Sequence, residues 1–97
     1  MEKRLGPLKV IFEGSKVTVV NDSDRPVFVE KLALEYYYTV YMPDGRVARR
    51  RGEEVVLEKK EIKPNEVFRF DMEVEVVGAK ATILEGTQLR TYEVVLE

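Results

Sequence analysis

The chain has 97 residues, 44% of them apolar, which is one domain's worth of core and too little for two. It contains no Cys and no His, which excludes disulfides, zinc–thiolate clusters, thiol nucleophiles, the usual general base and the commonest transition-metal ligand. Sixteen Lys+Arg against 18 Asp+Glu leave a net charge of −2, so no global field draws the chain to nucleic acid or to an anionic membrane.

The N-terminal stretch MEKRLGPLKV has charge but no apolar run behind it, and no segment approaches the ~18 residues of a membrane span. A cytoplasmic location is the expectation. Leu8, Val10 and Phe12 then alternate with Lys9 and Ile11 up to a Glu13-Gly14-Ser15 turn. Val17 and Val19 alternate with Lys16, Thr18 and Val20 until NDSDRP, and both runs predict strands. Leu32–Met42 predicts a further strand. Leu32, Leu34, Tyr36, Tyr38, Val40 and Met42 form its core face; Lys31, Ala33, Glu35, Tyr37, Thr39 and Tyr41 form the solvated one. PDG closes a hairpin after it. Val55–Ile62 and Lys80–Glu85 are β-branched enough for strands, although EEVVLEKKEIK also has a helical composition. Val67–Val77 reads as one strand, with Phe68, Phe70, Met72, Val74 and Val76 against Arg69, Asp71, Glu73 and Glu75. Arg90, Tyr92, Val94 and Leu96 share one parity near the C-terminus. Turn chemistry at EGS, NDSDRP, PDG, RG, KPNE, VGA and EGT separates the runs.

Short strands at even spacing, with no helical stripe, repeat or linker, predict an antiparallel sandwich or barrel. The core should draw on Val10, Phe12, Val17, Val19, Leu32, Leu34, Tyr36, Val40, Phe68, Phe70, Met72, Val74, Tyr92 and Val94. High Glu and Lys content with one Gln and two Asn is the bias of hyperthermophile proteins, and such a source is expected.

VTVVNDSDRPVFVEKLAL, followed later by IKPNEVFRF, resembles the early strands of immunoglobulin-like bacterial and archaeal modules. In those families a strand ends on Asn, a polar turn follows, and the next strand opens after a small residue or Pro. A later apolar-x-Pro-Gly-Glu turn precedes another alternating strand. Asn21, Pro26 and Lys63-Pro64-Asn65-Glu66 take those places here, with Asn65 where Gly is usual. The pattern is similar to CARDB-type adhesion modules and to the water-stress/hypersensitive-response domain of late-embryogenesis-abundant proteins. The latter usually has Asn-Pro-Asn at the turn, from which Asn21-Asp22-Ser23 departs. The resemblance implies an all-β, immunoglobulin-like antiparallel sandwich of about seven strands, spanning residues 1–97 as a single domain.

Four of the five tyrosines fall in LEYYYTVYMPDGR. Strand parity leaves Tyr37 and Tyr41 on the outer face, where exposed rings stack on bases or sugars or anchor a protein interface. Tyr is also an ordinary strand residue whose ring is covered by neighbouring Lys and Arg stems. Arg46, Arg49, Arg50 and Arg51 form the one concentrated basic segment and face back across the predicted hairpin toward these rings. Aromatics beside arginines suit a single-strand nucleic-acid platform; against this, Glu53, Glu54, Glu58 and Glu61 follow directly and offer cross-strand partners. Asp22-x-Asp24 has half of a calcium loop, but Arg25-Pro26 breaks the pattern and turn-making suits these residues better. Ser15 and Ser23 lie outside any nucleophile turn, and the glycines sit singly, so no phosphate loop exists. No catalytic residue, metal site or cofactor is expected. A non-enzymatic interaction or accessory module is, contacting an unidentified protein or a second copy through an edge strand. RNA or single-stranded DNA binding through the same rings and arginines is the alternative.

Overall fold

The computed structural model describes residues 1–96. Their regular structure is entirely strand: β1 (Glu2–Leu5), β2 (Leu8–Glu13), β3 (Lys16–Asn21), β4 (Val27–Tyr41), β5 (Val47–Ile62), β6 (Val67–Asp71), β7 (Val76–Glu85) and β8 (Gln88–Val95). Among the described residues no helix is long and apolar enough to cross a membrane. All pairings are antiparallel, in one sheet of order β1-β2-β3-β6 and a second of order β5-β4-β7-β8. With β2, β3 and β6 in the places of immunoglobulin strands A, B and E, strands β4, β5, β7 and β8 take those of C, C′, F and G. The fold is therefore an immunoglobulin-like sandwich, with β1 added as an eighth strand on the first sheet. Gly6, Gly14 and Gly86 open its three two-residue hairpin turns at φ of 57°, 67° and 66°, where primed turns need positive φ.

The core lies between the sheets. Leu5, Leu8, Val10, Phe12, Val17 and Val19 come from the first sheet; Val27, Val29, Leu32, Leu34, Ile62, Val76, Ala79, Ala81 and Ile83 face them from the second. Phe68, Phe70, Met72, Tyr92 and Val94 are half-buried at its margin. The inward set of β4 changes parity, from Val27 and Val29 to Leu32 and Leu34, because β4 shifts register against β7 between Val29 and Lys31. Such a bulge lets one strand serve the same face on both sides of a parity break. A second shift, between Leu32 and Ala33 on the β5 side, leaves Val56 unpaired.

Two expectations are corrected. Val67–Val77 is not one strand: after Asp71 the chain crosses between sheets, and Val74 is left 39% exposed. Glu73 sits at φ 63° in that crossing, tied down by Met72 N–H to Ser15 O (2.9 Å) and Val76 N–H to Gly14 O (3.0 Å). Gly52 and Gly78 are not turn residues but lie inside β5 and β7. A Cβ on Gly78 would stand 2.6 Å from the Val94 carbonyl oxygen, so this glycine serves close backbone approach. Val55–Ile62 is strand as expected, in the distal half of β5, and the helical alternative for EEVVLEKKEIK falls.

The NDSDRP turn is organised by Asn21, which is fully buried. Its Nδ2 donates to Arg25 O (2.7 Å) and Ile62 O (2.9 Å), and its Oδ1 accepts from Ser23 N (3.1 Å) and Ser23 Oγ (2.6 Å). One side chain thus ties the end of β3, the entry to β4 and the end of β5.

Candidate interaction surface

The β4–β5 hairpin is much longer than the sheet that holds it. Pairing of β4 with β7 stops at Tyr36–Val76, whereas pairing with β5 continues to Tyr41–Val47. Residues 37–41 and 47–51 therefore leave the sandwich as a two-stranded arm roughly 17 Å long at ~3.4 Å per residue, and the molecule extends 53 × 26 × 20 Å. The turn at its tip is closed by Met42 N–H to Arg46 O (2.8 Å) and Gly45 N–H to Met42 O (3.0 Å). Asp44 accepts from Arg46 N (3.1 Å) and Nε (2.5 Å), and Gly45 takes φ 84°. PDG thus turns the chain as its residues dictate.

Beyond Tyr36 there is no opposite sheet, and this governs ring exposure. Tyr37 and Tyr41 are exposed, as their parity predicts, at 38% and 79%. Tyr38, expected in the core, is 47% exposed, because its face of β4 has run past the last residue of the first sheet that could cover it. Tyr36 is the last ring held: it is half-buried and lies against Gly52, where a Cβ would stand 3.0 Å from the ring. Tyr36 and Tyr38 meet at 6.4 Å between centroids, tilted by 52°. Val40, expected in the core, is only half-buried on the same face.

The arginines divide by position. Arg49 lies over the Tyr37 ring at 4.3 Å, a cation–π contact. Arg50 is paired with Tyr38 across the strands. Among the described residues neither has a carboxylate within ion-pair distance. Arg46 is held by Asp44 at the tip. Arg51, at the base, bonds Glu35 Oε2 (2.6 Å), with Glu93 at 4.0 Å. Glu53, Glu54, Glu58 and Glu61 are not the partners of these arginines: they follow on the same strand. Four arginines and one aspartate give residues 36–52 a net charge of +3 in a chain of −2, so the remainder carries −5.

Glu35 was expected on a solvated face but is 5% exposed, and Ala33 beside it is 1% exposed. On that outer face Glu35 lies beside Gly78, whose missing side chain makes room for it, and Arg51 covers it. Burial pushes its carboxyl above the usual range; Arg51 partly opposes this, and nearby Glu93 adds to it. Among the described residues Glu35 Oε1 has no hydrogen-bond partner. Nothing in the local sequence marks this cluster, because it joins β4, β5 and β8. Tyr38's exposure had no signal in strand length, since Val67–Val77 also read as an 11-residue strand.

Where β7 leaves β4, a cleft of about 210 Å³ opens between Tyr37, Tyr38, Thr39, Arg49, Glu75 and Val77. Asp22, the other expected carboxylate of interest, is bonded through both oxygens to Arg4 (2.8 and 2.9 Å), and Arg4 holds it below the usual carboxylate range. Comparison with family models, curated proteins and solved structures finds no match for the chain.

Proposed function

We propose that the protein is a non-enzymatic interaction module whose contact surface is the β4–β5 arm. The observation that carries this reading is the projection of Tyr37, Tyr38 and Tyr41, with Arg49 and Arg50, beyond the end of the sandwich. Exposed Tyr and Arg are the residues that dominate protein interfaces, since each supplies large contact area and a polar handle. Resemblance of the Asn21 and Lys63–Glu66 turns to CARDB-type adhesion modules accords with such a role.

The test replaces residues 38–50 by Asn-Gly, joining Tyr37 to Arg51, which are cross-strand partners and so preserve the hairpin register. Quantitative cross-linking and capture from the native lysate should give a partner retained by the full chain and lost from the shortened one. Equal capture by both, or capture by neither, refutes the reading.

One observation favours a second reading, RNA or single-stranded DNA binding: Arg49 is stacked on Tyr37 and is not ion-paired among the described residues. Stacking platforms of this kind bind sequence-tolerantly and weaken steeply with salt. Titration of labelled oligonucleotides at low salt separates the two: absence of binding ends the nucleic-acid reading, and salt-sensitive binding displaces the first.

A further inference from the structure

Five residues of β4, Tyr37–Tyr41, have β5 on one edge and no paired strand on the other, because β7 pairs with β4 no further than Val76. Every other free edge of the two sheets is charged. β1 carries Glu2, Lys3 and Arg4; β6 carries Arg69 and Asp71; β8 carries Arg90 and Glu93. The outer edge of β5 carries alternating blocks of Arg, Glu and Lys and is broken by the Val56 bulge. Charge and bulges are how sheets prevent unwanted pairing. Tyr-Tyr-Thr-Val-Tyr has neither, in a chain that is 35% charged.

Resting on the arm as the contact surface, we infer that its partner is a second copy of this chain, added antiparallel along the free β4 edge about a two-fold axis. Strand addition satisfies the open row of backbone groups, and a two-fold makes the edge complementary to itself. The axis falls near Val40. If it passed through Thr39, Met42 of the second copy would lie opposite Tyr36, a place Val76 already fills. Centred on Val40, Tyr38 lies opposite Met42 on one face, and Thr39 lies opposite Tyr41 twice on the other. The strand order becomes β5-β4-β4-β5, so the two sets of arginines sit on the outer flanks and do not oppose each other. The second copy's tip, with the Asp44–Arg46 pair, arrives at the cleft lined by Arg49 and Glu75, so each side presents one charge of either sign. The paired edge is short, five residues a side, which places it with the small, transient interfaces, so a weak and concentration-dependent equilibrium is expected.

Sedimentation velocity from about 1 to 300 µM reads the equilibrium directly. Wild type should pass from monomer to dimer. Val40→Lys, which sets two lysines face to face at the axis, should stay monomeric across the range. Val47→Lys adds the same charge on the β5 side of the arm, at a residue 63% exposed, and should dimerise as wild type. The absence of native Cys gives a second readout: oxidised Val40→Cys should form a disulfide-linked dimer, and Gln88→Cys on the β8 edge should not. A wild type that stays monomeric to 300 µM, equal behaviour of the two lysine variants, or equal cross-linking of the two cysteine variants overturns the inference. Arm-dependent capture of a different protein would still stand in that event, so failure here and failure of the arm as a contact surface are separable.

Discussion

Replacing Asn21 by Ala should be among the most damaging single changes in this protein. The side chain is fully buried and makes four hydrogen bonds, two donated to Arg25 O and Ile62 O and two accepted from Ser23. Each neutral bond contributes about 0.5–1.5 kcal/mol net, and a buried group left unpaired costs about 1–3 kcal/mol. The bonds at Ser23 and Arg25 lie near the surface, where water replaces the lost partner, so they count at the low end. The bond to Ile62 O is buried, and there the unpaired carbonyl counts in full. The sum is about 3–4 kcal/mol. For a domain near 100 residues each kcal/mol lowers Tm by about 4–8 °C, so the midpoint should fall by at least ~12 °C. Urea unfolding followed by tyrosine fluorescence, with calorimetry alongside, measures both. Asn21→Asp keeps the size and the acceptor oxygen but turns the Nδ2 donor into an acceptor facing two carbonyls, so it should be no better than Ala. A loss below ~1 kcal/mol for Ala, or an Asp variant as stable as wild type, would refute the assignment of the turn's order to this one side chain.

Two further changes probe the base of the arm. Gly78→Ala places a Cβ 2.6 Å from the Val94 carbonyl oxygen and 3.0 Å from Glu35 Oε1, and overpacking against backbone costs about 1–3 kcal/mol. Urea midpoints should show that loss, and hydrogen exchange should place it in β7 and β8. Glu35→Gln tests the buried carboxyl through pH. Because burial raises the folded-state pKa above its ordinary value, the folded chain holds its proton longer than the unfolded one. That stabilisation is complete below the unfolded value of about 4.5 and is lost as pH rises through the folded value. The stability of the Gln variant relative to wild type should therefore improve from pH 4 to pH 7 in paired urea titrations, and a difference independent of pH would show that Glu35 titrates normally.

Alternation revealed the sandwich because it reports directly on which face a strand buries: Val10, Phe12, Val17, Val19, Leu32 and Leu34 are all in the core. It failed where a strand's two faces lose their distinction. Val74 continues the apolar parity of β6 but lies in the crossing between sheets, where backbone bonds to Gly14 and Ser15 replace a ladder. Val27, Val29, Ala79, Ala81 and Ile83 escaped notice for the opposite reason. The bulge at Lys31 breaks the parity of β4, and β7 is flanked by strands on both sides, so alanines beside Gly78 serve as core. Gly52 and Gly78 read as turns because Gly usually marks one; here each makes room for a side chain of β4, the Tyr36 ring and the Glu35 carboxylate respectively. On the arm, parity predicted the exposed Tyr37 and Tyr41 correctly, whereas for Tyr38 length mattered more than parity.

The same geometry separates folding from contact. The core closes at Leu34 and Val76, and the next ring, Tyr36, is half-buried against Gly52 outside the core cluster. Beyond that point the arm's rings touch arginines and one another and do not touch the core cluster. An isolated two-stranded ribbon is marginal in water at best, so this arm persists because its base continues a four-stranded sheet. Its length therefore adds little to the stability of the sandwich and exposes an uncharged strand edge. Changing Tyr41, 79% exposed, to Ser should leave the urea midpoint within the ~0.5 kcal/mol typical of surface substitutions, while weakening whatever the arm binds. If stability and contact instead fell together, the rings would be holding the sandwich closed, and the arm would be part of the fold's core rather than its contact surface.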